Sequence, residues 1–156
     1  MLKLSILEFL FRLIPEGFLF ILASYTLSKN LIDKKRYLIS SIILAIIVYS
    51  IRSLPIHYGV HTILVLIIHI VLTVNINKID IIKSIESGIT TIIIEFICEG
   101  INVFLIHKVF KVDIDVIFSQ PLLKIIYGIP SLLMLGCIIV LWYIRLLKKK
   151  ELRKCL

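Results

Sequence analysis

Charge is what this sequence has least of. Only 18% of its 156 residues are Asp, Glu, Lys or Arg, while 60% are hydrophobic and the mean hydropathy is +1.07. A soluble domain has about 25% charged and about 45–50% apolar residues. The polar sequence is therefore too scarce to cover a water-facing globule of this size. Catalytic signatures are missing as well. HExxH, GxSxG and any glycine-rich phosphate loop are absent, so a zinc intramembrane protease, a serine hydrolase and a nucleotide enzyme have no support. Cys98 and His107 are nine residues apart and fall on different helix faces, which disfavours a cysteine peptidase. The three cysteines, Cys98, Cys137 and Cys155, lack metal-ligand spacing and read as free thiols. No small-residue cleavage site closes the first apolar stretch, so a signal peptide is not expected. Neither catalysis, cofactor nor metal is expected.

What is present is a series of long apolar blocks. A helix needs about 20 residues to cross a hydrocarbon core of about 30 Å. The blocks run over 4–28, 37–54, 59–74, 79–109 and 122–147. Isoleucine and valine favour strands in water. In lipid an open sheet edge is not viable, so uninterrupted runs of this length are helices. The expected fold is all-α: a polytopic membrane helix bundle of about five spans over 1–147, with a basic cytoplasmic tail over 148–156. Pro15 splits the first block, which is either an interfacial helix followed by a span or one kinked helix.

Net charge is +8, a value that suggests nucleic acid in a soluble protein. Here the basic residues sit in the breaks between blocks, where they set topology and meet anionic lipid headgroups. Nucleic acid is therefore not an expected partner. Of the 18 Lys and Arg, 12 lie in the 28–36 break, the 75–84 break and the tail from Arg145. With five spans these share one side, which places the N-terminus outside and the C-terminus in the cytoplasm.

Ionisable residues within apolar blocks are expensive and face a protein interior or a wet cavity. Glu95, Glu99 and Asn102 lie at i, i+4 and i+7, on one helix face. They form either a ligand, ion or proton site or a polar contact that fixes packing. Glu8, Arg12 and Glu16 have helical spacing too, either as a surface ion-pair ladder or with Arg12 or Glu16 turned inward. Arg52, just before Pro55, is the outer-side cation that could meet Glu99 or an anionic ligand group, unless it only snorkels. His57, His61 and His69 fall close together. Core hydrogen bonding, a ligand or pH-sensing role and, least of all, metal binding are the readings open to them. Gly128, Ser131 and Gly136 permit close helix approach and leave room for a homodimer.

The segments IPEGFLF (14–20), IRSLPIHYGVHTI (51–63) and ITTIIIEF (89–96) resemble the membrane sensor region of accessory-gene-regulator-like, GHKL-type histidine kinases. The motif positions are Pro15 and Glu16; Arg52, Leu54 and Pro55; Gly59, His61 and Thr62; and Glu95. The resemblance implies a multi-span region that detects an extracellular signal, often a peptide, in quorum sensing through a two-component system. The sequence stops at Leu156 without a phosphoacceptor helix or an ATP-binding domain, so the expectation is a sensor module without its kinase. The expected ligand is a peptide or amphipathic small molecule near Glu16, Arg52, His61, Glu95, Glu99 and Asn102. The expected partners are the bilayer and a kinase-like or other membrane protein. A small transporter subunit and a non-catalytic membrane scaffold are the alternatives.

Overall fold

The computed structural model describes residues 9–54, 58–106, 108, 121–150 and 152. Among them are five helices and no strand: α1 (Ile14–Leu27), α2 (Lys34–Arg52), α3 (Tyr58–Asn75), α4 (Ile81–Leu105) and α5 (Pro121–Lys148). A widened π-type turn, Phe9–Leu13, leads into α1 without a break. Pro15 lies in the first turn of α1. A proline there lacks the N–H that would bond to the turn before it, and its ring crowds that turn. A wider turn accommodates both effects. Of the two readings of the first block, the described part follows the continuous one; Met1–Glu8 lies outside the described residues.

The polar breaks between blocks supply the caps. The Asp33 carboxylate accepts from the backbone N–H groups of Lys35 (3.1 Å) and Arg36 (3.4 Å), which starts α2. Asp80 does the same for α4 through the N–H of Ile82 at 2.9 Å. Both satisfy donors that a helix start leaves open. Three helix ends share another device. Lys29 (φ 56°), Lys78 (φ 55°) and Lys150 (φ 54°) adopt the left-handed conformation just after α1, α3 and α5. The turns close through Asn30 N–H to Tyr25 O (2.9 Å), Ile79 N–H to Thr73 O (3.1 Å) and Lys150 N–H to Leu147 O (3.1 Å).

Neighbouring helices alternate in direction, with α1 touching all the others. Gly17 makes the tight contact between α1 and α2: a Cβ there would lie 3.0 Å from the Ser41 carbonyl oxygen and 3.4 Å from Ala45 Cβ. α5 runs parallel to α1, with Gly128 against the Arg12 guanidinium and Gly136 against Leu19. Both glycines thus let α1 of the same chain approach α5. Phe20, Ile21, Tyr25, Leu44, Val48, Leu72 and Ile92 form the larger apolar core. Ala23, Cys98, Leu135 and Ile139 form a second one toward α5.

The distribution of polarity is the reverse of that in a water-soluble bundle. Ser24, Ser40, Ser41, His69, Thr73, Asn77, Ser84, Ser87 and Thr91 are fully buried between helices. Ile39, Ile42 and Ile46 of α2, Ile63 and Ile67 of α3, Ile93, Phe96 and Ile97 of α4, and Leu133 and Leu141 of α5 point outward. In lipid the outside is as apolar as the core, and small polar residues hold the helices together. Three helices are long and apolar enough to cross a membrane: Leu10–Leu27, Ile81–Leu105 and Ile126–Lys148. This is consistent with a membrane protein. Of the expected five spans, these three have the required length and apolarity, and the other two helices have shorter apolar stretches. The Lys34–Arg36 cluster and Arg52 leave α2 an apolar length of about 22 Å, and Gly59–Asn75 is the shorter apolar stretch of α3.

Candidate functional site

Five ionisable side chains from four elements meet at one end of the bundle. Arg12 comes from the turn before α1, Glu16 from the first turn of α1, Arg52 from the last turn of α2, and Glu95 and Glu99 from the second half of α4. Arg52 donates to Glu16 at 2.6 Å, and Arg12 donates to Glu99 at 2.9 Å. Each pair bridges two elements, so α2 is held to α1 and the start of α1 to α4. A crevice between α1, α4 and α5 is lined by Arg12, Glu16, Glu95, Glu99 and Ser131, with Leu132 and Leu135 as its apolar wall.

Arg12 and Glu16 both turn inward, one of the two readings of their segment, and the pairing across helices differs from the expected one. Arg52 meets Glu16 rather than Glu99. Arg12 reaches across to Glu99 instead of closing an i, i+4 ladder with Glu16; Glu8 lies outside the described residues. Helical geometry explains the outcome. Arg12 and Glu16 are one turn apart and share a face. That face points into the bundle, where α2 and α4 each supply the opposite charge. Both pairs then neutralise groups that lipid would otherwise face unpaired.

Glu95 is the carboxylate left over. Protein atoms surround it on nearly all sides, with Glu16 and Glu99 as like charges and Arg52 and Arg12 as opposite ones. It keeps some accessible surface, as a group lining a crevice should. Among the described residues it makes no hydrogen bond or ion pair. The site therefore holds three carboxylates against two guanidinium groups.

The remaining residues singled out from the sequence fall elsewhere. Asn102 donates its side-chain N–H to the Tyr127 carbonyl oxygen at 2.6 Å, tying α4 to α5. It therefore serves packing beside the crevice. His61 is half-buried near the start of α3 and does not line the crevice. His57 and Pro55 lie outside the described residues. His69 is a hydrogen-bonding core histidine: its Nε2 lies 2.7 Å from the Ser24 hydroxyl, and the Phe20 ring packs edge-on against it. Ser87 lies 3.5 Å from the same hydroxyl, so α1, α3 and α4 meet there. This serine–histidine contact is sealed at the bundle centre, with Ser24 and His69 both fully buried. Arg12, read as a residue that could turn inward, and Ser131, read for close helix approach, are the polar crevice residues that the expected ligand site left out. The i, i+4 spacing of Arg12 to Glu16 was the available signal for the first; the second had none beyond its small size.

No family model, curated protein or solved structure matches the chain.

Proposed function

We propose that this chain is a receptor-like membrane sensor module. It binds an extracellular peptide or amphipathic small molecule at the ion-pair end of the bundle and signals to a cytoplasmic or membrane partner. The observation that carries this reading is the pair of interhelical bridges, Arg52–Glu16 and Arg12–Glu99, closing a crevice that contains an unpaired carboxylate. A ligand that interacts with these bridges differently in two packings of the helices shifts the balance between those packings. In the proposed orientation all five helices cross the bilayer and the basic ends face the cytoplasm, which leaves the ion-pair end outside. The resemblance to accessory-gene-regulator-like sensors points the same way.

Transmission follows from the contacts around Arg12. Its guanidinium lies against Gly128 of α5 while bonding Glu99 of α4. A ligand that engages the acidic face of α4 frees Arg12 and changes how α4 and α5 meet. The far end of α5 carries Arg145 and Lys148, where a partner would read the shift.

The test is photo-crosslinking in membranes, with a crosslinker placed near Lys148. Adding the peptide and small-molecule fraction of the native culture medium should change the crosslinked pattern for the unmodified chain. It should not do so for the Glu95→Gln, Glu99→Gln double variant at equal membrane levels. An identical response from both chains refutes the reading. Fraction-independent substrate uptake by reconstituted vesicles would favour transport instead.

A further inference from the structure

The crevice has a charge imbalance that says which ligand group it accepts, and this step rests on the sensor reading above. Each guanidinium already has its carboxylate, at 2.6 Å for Arg52 with Glu16 and 2.9 Å for Arg12 with Glu99. An incoming anion would have to break one of these pairs. Glu95 is the group with an open valence: it is closely packed, lines the crevice and has no hydrogen-bond partner among the described residues. An isolated carboxylate at membrane depth is neutralised by a proton or by a cation. Leu132 and Leu135 of α5 flank it as an apolar wall, and the Ser131 hydroxyl, itself donating to the Gly128 carbonyl at 2.8 Å, stands beside it. A carboxylate next to an aliphatic wall matches a molecule with a positively charged head and an apolar body.

We propose that the crevice between α1, α4 and α5, closed in this structure, opens to bind a cationic amphiphile, with an ammonium or guanidinium group seated on Glu95 and its apolar part along the half-buried Leu132. The ligand class is thus a peptide or small molecule that presents a free amine or an arginine-like group beside a hydrophobic segment. The head group adds the positive charge that the two arginines leave short. This preference opposes the chain's net charge of +8, which favours anions in bulk, so it belongs to the site and not to the surface.

The test uses three matched probes, octylammonium, octanol and octanoate, titrated into the full chain in phosphatidylcholine nanodiscs. A charge-assisted hydrogen bond corresponds to roughly tenfold to a hundredfold in affinity. Octylammonium should bind saturably and at least about tenfold tighter than octanol, with octanoate weakest. Glu95→Gln, which keeps the shape and removes a repelling charge, should weaken octylammonium by about tenfold or more. Glu86→Gln, an exposed carboxylate on the same helix, removes equal charge away from the crevice and should change binding less than about twofold. The proposal is overturned if Glu95→Gln binds as the unmodified chain does, or if octanol or octanoate matches octylammonium. It is also overturned if octylammonium shows no saturable binding, in which case Glu95 carries a proton instead. The two readings separate cleanly. A culture-medium response that depends on Glu95 and Glu99 without octylammonium binding sinks the cation assignment alone. Octylammonium binding without any response in the crosslinking test sinks the sensor reading alone.

Discussion

Removing Arg52 should damage the bundle more than removing its partner. Glu16 keeps 10% of its side-chain surface exposed and Arg52 keeps 32%. In Arg52→Gln the buried Glu16 loses its 2.6 Å charged donor in a poorly polar setting. Breaking a buried pair from one side costs about 3–5 kcal/mol. The partial exposure of Arg52 brings the expectation to the low end, about 3 kcal/mol. In Glu16→Gln the stranded group is an arginine at a helix end, which can extend its long side chain toward polar surroundings, so about 1–2 kcal/mol is expected. The double variant strands neither member of the pair. It should be no worse than Arg52→Gln alone, giving a coupling of about 1–3 kcal/mol. Reversible unfolding in mixed detergent micelles, followed by helical circular dichroism, measures all four proteins. Additive losses, or a larger loss for Glu16→Gln than for Arg52→Gln, would refute the reasoning.

Other contacts lead to separate expectations. Gly17→Val places a branched side chain against the Ser41 carbonyl at the closest α1–α2 approach, and should destabilise the chain by about 2–3 kcal/mol in the same unfolding assay. Gly17→Ala should cost clearly less. Asn102→Ala removes the 2.6 Å bond to Tyr127 and should lower stability by about 1 kcal/mol, while octylammonium affinity stays within about twofold of the unmodified chain. A large affinity loss would return Asn102 to the binding site. Ser24→Ala strands the Nε2 of the fully buried His69 and should cost about 1–3 kcal/mol, whereas adding His69→Leu to it should recover part of that loss.

How legible the molecule was in its sequence differs from element to element. Block lengths, the Asp33 and Asp80 breaks and the all-helical class follow from local composition, because lipid leaves an apolar run few other structures. Local composition also marked Glu16, Arg52, Glu95 and Glu99 as expensive. It could not say which pairs with which, since 36 residues separate Glu16 from Arg52 and 87 separate Arg12 from Glu99. Those choices depend on α1 lying at the centre of the bundle, a property of the whole packing. The sequence reading also grouped Asn102 with the two glutamates by spacing alone, whereas the Tyr127 carbonyl claims it. The blocks look equivalent in the sequence, whereas the structure separates them: three helices have the length and apolarity to cross a membrane, and the charges at each end of α2 shorten its apolar stretch.

The left-handed lysines after α1, α3 and α5 join two jobs in one residue. Glycine would take that backbone conformation without the penalty of about 1–2 kcal/mol that a side chain brings. Lysine instead sets an ammonium group where the helix carbonyls concentrate negative potential, which returns part of that penalty. In the proposed orientation the three ammonium groups also share one membrane face. Folding and insertion then read the same letters: each stop signal for a helix is also a retention signal for its end. A triple change of Lys29, Lys78 and Lys150 to glycine would keep the turns and remove three of the 12 basic residues of that face, so its cost would fall on orientation rather than on folding.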